Sequence, residues 1–222
     1  MIRVVRWVQI FVKKFVVLDK VVDLILESNN VNTICEKLLS TYIKSEDEFI
    51  KYMDDLAGRF IIIWGHEDNL KTCNDVIVIR IIFYHKVENI ISSHYALIQE
   101  ITKDSYIKTI KKFKEFSSNC MPANYSPVEN VLVLTPNTFL DSKNKTVVRF
   151  WPRENLENNT LDNVVESVIK YTDIQLKLLK NKYKIINSLS GGMDSRRTLA
   201  LLKEHVDDIT FFTYSRKNFN YA

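Results

Sequence analysis

The chain has 222 residues, 46% of them apolar and 26% charged, and a formal net charge of +4. That is enough apolar chain for one large or two small cores, which excludes a disordered segment, and a charge so small and so evenly spread does not indicate a nucleic-acid partner. Cys35, Cys73 and Cys120 have no regular spacing, and His66, His85, His94 and His205 have no ligand spacing. They suggest neither a disulfide framework nor a zinc site, and they favour a reducing, cytoplasmic setting.

The apolar run at the N-terminus is broken by Arg3, Arg6, Lys13, Lys14 and Asp19 and carries no small-residue cleavage site, so it reads as a strand and a helix and not as a signal or membrane anchor. Further on, Phe60 to Trp64, Val76 to Tyr84 and Ile90 to Ser92 are β-branched and aromatic runs separated by polar turns, the pattern of an antiparallel sheet. Gly58, just ahead of the first run, marks a special backbone position. Lys108 to Lys114, with Ile107, Ile110 and Phe113 interleaved, predicts a helix with one solvated face. Pro152 and the Asn/Glu-rich stretch after it place a boundary at 153–160, between a domain at 1–152 and another starting at 161. Thr160 reads as the N-cap of a long helix from Leu161, with Val164, Val165, Val168, Ile169 and Leu176 on its apolar side. A strand within Tyr183 to Leu189, a helix carrying Leu199, Leu202 and Val206, and a strand from Ile209 to Phe212 then follow. That order predicts a parallel α/β unit.

The most informative segment is the turn Leu189-Ser190-Gly191-Gly192-Met193-Asp194-Ser195, which joins this strand to this helix. Adjacent glycines open backbone conformations closed to other residues and let phosphate oxygens approach the main chain. Amides at a helix start lack internal partners and share the positive end of the helix dipole, so the turn suits an anion. The Ser190 and Ser195 hydroxyls add donors. Asp194 would repel pyrophosphate unless a divalent cation neutralised it, which argues for Mg2+. The turn lacks the Gly-Lys-Ser/Thr ending of a Walker loop, so transfer of the terminal phosphate is disfavoured.

At these residues the chain resembles the PP-loop ATP pyrophosphatase superfamily, and its wording is similar to the asparagine synthetase branch. The resemblance implies an ATP-dependent ligase that activates a carboxylate, aspartate or an analogue, as an acyl-adenylate with release of pyrophosphate. Ammonia or another amine then displaces AMP. It implies that Ser190, Gly191, Gly192, Met193, Asp194 and Ser195 hold the phosphates, with Leu189 near the nucleotide, Asp194 on Mg2+, and Thr213 and Tyr214 at the adenosine pocket. No catalytic residue is identifiable.

The N-terminal half resembles the family's glutaminase domain. Met53 to Ile63 is similar to a short helix, Gly-Arg-Phe and strand; Asn74-Asp75 through Tyr84 to an Asp-to-Tyr segment; and Ile90-Ile91-Ser92-Ser93 to a strand ending in Ser-Ser. The implied fold is an α+β domain of layered, Ntn-hydrolase-like antiparallel sheets followed by the first part of a Rossmann-like domain. Family glutaminases use a cysteine directly after the initiator methionine, where this chain has Ile2, and Val78 stands where the family has glycine. A scaffold domain with ammonia or another amine as nucleophile follows from that likeness. The family's ligase half carries further βα units, so the 222 residues read as the first part of a longer ligase, inactive alone. A related amide, lactam or peptide-modifying ligase and a non-catalytic nucleotide-binding fragment are the alternatives. Neither nucleic acid nor a membrane is expected as a partner.

Overall fold

The structure, a computed structural model, describes residues 15–18, 20–66, 69–107, 121, 123–155 and 158–214. The chain is a mixed α/β protein divided into two compact units, one of residues 1–21 and 31–156, the other of residues 22–30 and 157–222. In chain order it forms β1 (Phe15–Leu18), β2 (Val21–Asp23), α1 (Val31–Lys44), α2 (Glu46–Tyr52), β3 (Leu56–Gly58), β4 (Ile61–His66), β5 (Asn69–Asn74), β6 (Phe83–His85), β7 (Ile91–Ser92), α3 (Tyr95–Thr102), β8 (Val131–Val133), β9 (Thr138–Asp141) and β10 (Thr146–Arg149). The second unit contributes α4 (Leu161–Lys180), β11 (Ile185–Ser188), α5 (Met193–Leu201) and β12 (Ile209–Phe212). Among the described residues no helix is long and apolar enough to cross a membrane.

The first unit is built on an antiparallel sheet in the order β1-β4-β5-β9-β10 and a second one in the order β7-β6-β8. Alternation along the strands separates three cores. Ile62, Trp64, Cys73 and Phe139 face α1 and α2, packing with Ile34, Leu38 and Phe49. Their neighbours Ile63 and Leu140 face the second sheet and meet Ile82, Tyr84 and Ile91. Phe83, one residue from Tyr84, turns to the far face of the second sheet, where Ile98 of α3 packs with Val128 and Val131. The layers therefore run helices, sheet, sheet, helix. α2 starts where Ser45 accepts a hydrogen bond from the Glu48 amide, at 3.1 Å, with Glu46, Asp47 and Glu48 in its first turn. Glu46 also reaches the sheet, accepting from Trp64 Nε1 at 3.1 Å and pairing with Lys71 Nζ at 2.6 Å. The buried indole thus keeps a partner.

Two of the runs read as strands end close to their expected places, at β4 and β7. Val76 to Tyr84 does not form one strand. Only its end, from Phe83, lies in β6, and the preceding residues are an irregular loop in which Val76, Ile77, Ile79 and Ile81 are exposed. The cause is Asp75. Its buried carboxylate accepts from the Ile79 and Arg80 amides, both at 2.8 Å, and its carbonyl accepts from the Val78 amide at 2.9 Å. Those donors leave the sheet ladder for a side-chain-held turn. The predicted helix at 108–114 and the start of the N-terminal run, residues 1–14, lie outside the described residues.

In the second unit α4 matches its prediction, with the Thr160 hydroxyl accepting from the Asn163 amide at 3.3 Å. Its expected apolar side is only half used. Leu176 is buried with Leu202 and Ile209, whereas Val164, Val165, Val168 and Ile169 are 44–52% exposed. Residues 22–30 join this unit through a hydrogen bond from Asn29 Nδ2 to the Leu178 carbonyl, 2.9 Å. α5 stops at Leu201 and gives way to a 3-10 turn, Lys203–Asp208, so Val206, expected on the helix, lies outside it and exposed.

Two backbone positions in the first unit predict opposite outcomes. Gly58 has φ of 98°, and a Cβ there would lie 2.1 Å from the Lys20 carbonyl oxygen. Gly58→Ala should therefore destabilise the unit by about 3 kcal/mol or more. Val78 has φ of 56° with a β-branched side chain. Removing that strain in Val78→Gly should outweigh the added chain entropy and stabilise by about 1 kcal/mol. Paired denaturant titrations of the two variants measure both signs.

Candidate anion-binding turn

β11 and β12 are parallel neighbours, Ile185 beside Ile209 through Ser188 beside Phe212, and the Leu189 amide continues the ladder by donating to the Phe212 carbonyl at 2.8 Å. The turn therefore begins at Ser190, just past the carboxyl ends of both strands, where α/β sheets commonly place ligands. α5 starts at Met193 with Gly192 as its N-cap, and the Gly192 carbonyl accepts from the Arg196 amide at 3.2 Å. First-turn amides of a helix have no intrahelical acceptor, so those of α5 face outward at its positive end.

Of the two roles expected of the glycines, the unusual backbone angle is not seen and the open approach to the main chain is. Gly192 has φ of −71° and ψ of 159°, open to any residue, and Gly191 is not among the positive-φ glycines. What the missing side chains provide is space. A Cβ at Gly191 would meet nothing within 4 Å, and one at Gly192 only the Ser190 hydroxyl at 3.4 Å. A side chain at either position would take up part of that open space beside the helix start. The Ser190 and Ser195 hydroxyls are 2.8 Å apart across the turn, and the Gly192 amide donates to Ser190 Oγ at 3.4 Å. Met193 and Asp194 are exposed, and Leu189 is half-buried. Thr213 and Tyr214 follow β12 at the same end of the strand pair, both exposed, the Tyr214 ring stacked on Phe212 with centroids 6.4 Å apart. All the residues singled out in the sequence for nucleotide contact thus belong to one end of this βαβ unit. Among the described residues no group of three or more His, Cys, Asp or Glu side chains is arranged so that it could hold a metal ion.

A polar cluster that sequence reasoning missed holds the second strand in place. Buried His205 in the 3-10 turn contacts Asp173 Oδ1 of α4 through Nε2 at 2.8 Å, and its Nδ1 lies 3.3 Å from Lys180 Nζ. An ammonium can only donate, so Nδ1 accepts and Nε2 carries the proton given to Asp173, a tautomer assigned from these partners. Lys180 also pairs with Asp208. The hydrogen bond from Lys177, followed by the one from His205, keeps the Asp173 carboxyl below its usual range, and Asp173 raises Lys177 in turn. Of this cluster only Asp173 and Lys177, four residues apart on one helix face, could be read locally. His205 is 32 residues from Asp173 in sequence.

In the first unit the described cysteines have no nucleophilic setting. Cys73 is buried, its thiol 3.7 Å from Met53 Sδ, and burial pushes it up to about 12. Burial, followed by the neighbouring Glu36, also raises the half-buried Cys35. Ile2 and Cys120 lie outside the described residues. His85 is buried and multiply held. Its Nδ1 accepts from the Val87 and Glu88 amides at 3.2 and 2.7 Å, and its Nε2 meets Asp104 Oδ2 at 2.8 Å.

Compared with known proteins, the chain matches no family model and, at a significant level, no curated protein.

Because the thiolate is the reactive form, Cys73 should resist iodoacetamide at pH 8 in the native protein and react once the chain is unfolded in guanidinium. Peptide mapping by mass spectrometry reads Cys73 separately from Cys35 and Cys120. Native-state alkylation of Cys73 at the unfolded rate would contradict its burial.

Proposed function

We propose that the chain acts as an ATP-dependent carbon–nitrogen ligase of the asparagine synthetase kind. Its second unit is a Rossmann-like PP-loop unit that binds ATP through the Ser190 to Ser195 turn. The observation that carries this reading is the open start of α5, where the Ser190 and Ser195 hydroxyls meet across the turn before the helix's first amides and no side chain stands at Gly191 or Gly192. A pyrophosphate group fits that chemistry: many donors, a positive helix end, and room for oxygens close to the main chain. Asp194 in the first turn of α5 would repel the phosphates unless Mg2+ stood between them, and one carboxylate with phosphate and water oxygens completes an ordinary magnesium shell. Mg2+ there neutralises charge on the departing pyrophosphate.

In this reading a carboxylate substrate attacks the α-phosphate of ATP, pyrophosphate leaves while held by the turn, and an amine displaces AMP from the acyl-adenylate. The exposed Tyr214 and Thr213 border the adenosine at the end of β12. The layer order of helices, sheet, sheet and helix in the first unit supports an Ntn-hydrolase-like scaffold. In this reading the amine is ammonia or an amino group of another substrate.

Calorimetric titration with Mg·ATP tests the turn. A methyl group at Gly191 enters open space and should change stability by less than about 0.5 kcal/mol, while it should weaken ATP binding at least tenfold by standing where the phosphates approach the main chain. Asp194→Asn should bind ATP more tightly than the native chain does when Mg2+ is left out, because the repulsion is gone. Nucleotide affinity unaffected by either change sinks the assignment. Carboxylate-dependent exchange of labelled pyrophosphate into ATP then reports whether adenylation occurs.

A further inference from the structure

His85, at the end of β6, holds its ring between two kinds of partner. Its Nε2 lies 2.8 Å from Asp104 Oδ2, and its Nδ1 accepts from the Val87 and Glu88 amides at 3.2 and 2.7 Å. A backbone N–H can only donate, so these two amides assign the tautomer: Nδ1 is unprotonated, and Nε2 carries the proton given to Asp104. We propose that His85 is an acid-released latch on the loop of residues 86–89, closed while Nδ1 is unprotonated and opened when Nδ1 takes a proton from solvent.

The incompatibility is geometric. A proton on Nδ1 would point at two N–H groups, and an imidazolium has no lone pair left for either. Its bond to Asp104 survives protonation and is strengthened by the charge. Which side yields follows from how each is held. Asp104 is anchored beyond α3: its amide donates to Thr102 Oγ1 at 3.4 Å, its carbonyl accepts from Gln99 Nε2 at 3.3 Å, and its Oδ2 accepts from Asn130 Nδ2 at 3.4 Å. Lys86 to Asn89, by contrast, are all exposed. The ends of the loop are tied to the sheet, the Lys86 amide to the Asn130 carbonyl at 2.8 Å and the His85 amide to the Ile90 carbonyl at 3.0 Å, and the tip can lift between them.

The charges around the ring set the direction. Asp104 attracts the proton. Lys86 and Glu88 sit on the exposed loop, where water screens them and their signs offset. Lys145, from the turn between β9 and β10, bonds the Val87 carbonyl through Nζ and is a further tie on the tip. Tyr84 shares a small pocket with His85, Glu88 and Lys145, and burial pushes its phenol up, so it stays neutral throughout. β8 brings Val131 beside His85 and adds no charge there. One proton is taken up per opening, so the closed loop is favoured at high pH and the opening constant rises by at most about tenfold for each unit that pH falls. Lifting the loop exposes Tyr84, Ile91 and Leu140, which line the pocket beside it.

Hydrogen exchange of the full chain, read by proton–nitrogen NMR and corrected for the intrinsic rate at each pH, tests the latch. Between pH 7.5 and pH 5 the protection of the Val87 and Glu88 amides should fall at least about tenfold while that of β4 and β5 stays level. Long-range nitrogen–proton spectra of the His85 ring should show Nδ1 unprotonated at pH 7.5 and both nitrogens protonated at pH 5. In His85→Asn, whose Oδ1 accepts in place of Nδ1 and cannot titrate, the two amides should keep their protection across the range. In Asp104→Asn, which still accepts from Nε2 but no longer attracts the proton, the loss should move toward acid by about one pH unit. Protection independent of pH in the native chain, an Nδ1–H tautomer at pH 7.5, an equal fall in His85→Asn, or loss of protection in β4 and β5 together with the loop would each overturn the proposal.

Discussion

Strand β4 is buried on both faces, and the first unit is organised by that double commitment. Ile62 and Trp64 serve the core under α1 and α2, while Ile61 and Ile63 serve the core between the two sheets. A slip of one residue would exchange the two sets and drive the Trp64 indole away from Glu46, its partner on α2. The register is therefore fixed by packing and by one hydrogen bond. β5 inherits it, with Ile62 beside Cys73 and Ile61 beside Asn74. That pairing brings Asn74 to the end of its strand, where its amide holds the Arg80 and Leu134 carbonyls, and it delivers Asp75 to the point where a turn can be gathered around its carboxylate.

Elements whose signals are local were legible in the sequence. α4 carries its cap, its period and its basic last turn within its own residues, and β12 is a short apolar run bounded by polar chain. Gly58 was legible because only glycine tolerates its backbone angle. Val76 to Tyr84 misled for a physical reason. Its composition favours a strand, but whether a strand forms depends on a partner edge and on what competes for its amides, and Asp75 competes successfully. The half-used face of α4 has the same origin: periodicity shows that a stripe is apolar, not how much of it finds a neighbour within the unit. Helices α1 to α3 carry no motif that points to chemistry, and their place in the layers follows from contacts that the sequence does not display.

The candidate site was legible as a set of residues but not in its working. Ser190 to Ser195 and Thr213 to Tyr214 lie at one end of the βαβ unit because a parallel pair of strands must put both carboxyl ends there. The glycines were expected to supply both unusual backbone angles and an open approach to the main chain; Gly192 is ordinary in φ and ψ, and the open space at Gly191 is the part that the structure shows. The cluster of Asp173, His205, Lys180 and Asp208 was invisible because it is assembled by the crossover itself.

That cluster bears on how the turn works. The second unit buries Leu176, Leu202 and Ile209 together, and α5 buries no residue of its own. The helix that presents the turn is thus secured mainly beyond its ends, by the strand ladder before the glycines and by Leu202 and His205 after its last turn. Hydrophobic burial in so small a core leaves little margin, and ion pairs as exposed as Lys177 with Asp173 add little to it. Such an element belongs to the easily opened part of a protein, where ligand sites are commonly found. A ligand at the turn would then do more than occupy open space. Binding only the closed form at a hundred times its Kd contributes about 2.7 kcal/mol, a large addition for a unit of this size. The empty space over Gly191 would let that contribution be made without displacing any side chain, which couples the absence of Cβ atoms at the turn to the stability of the whole unit.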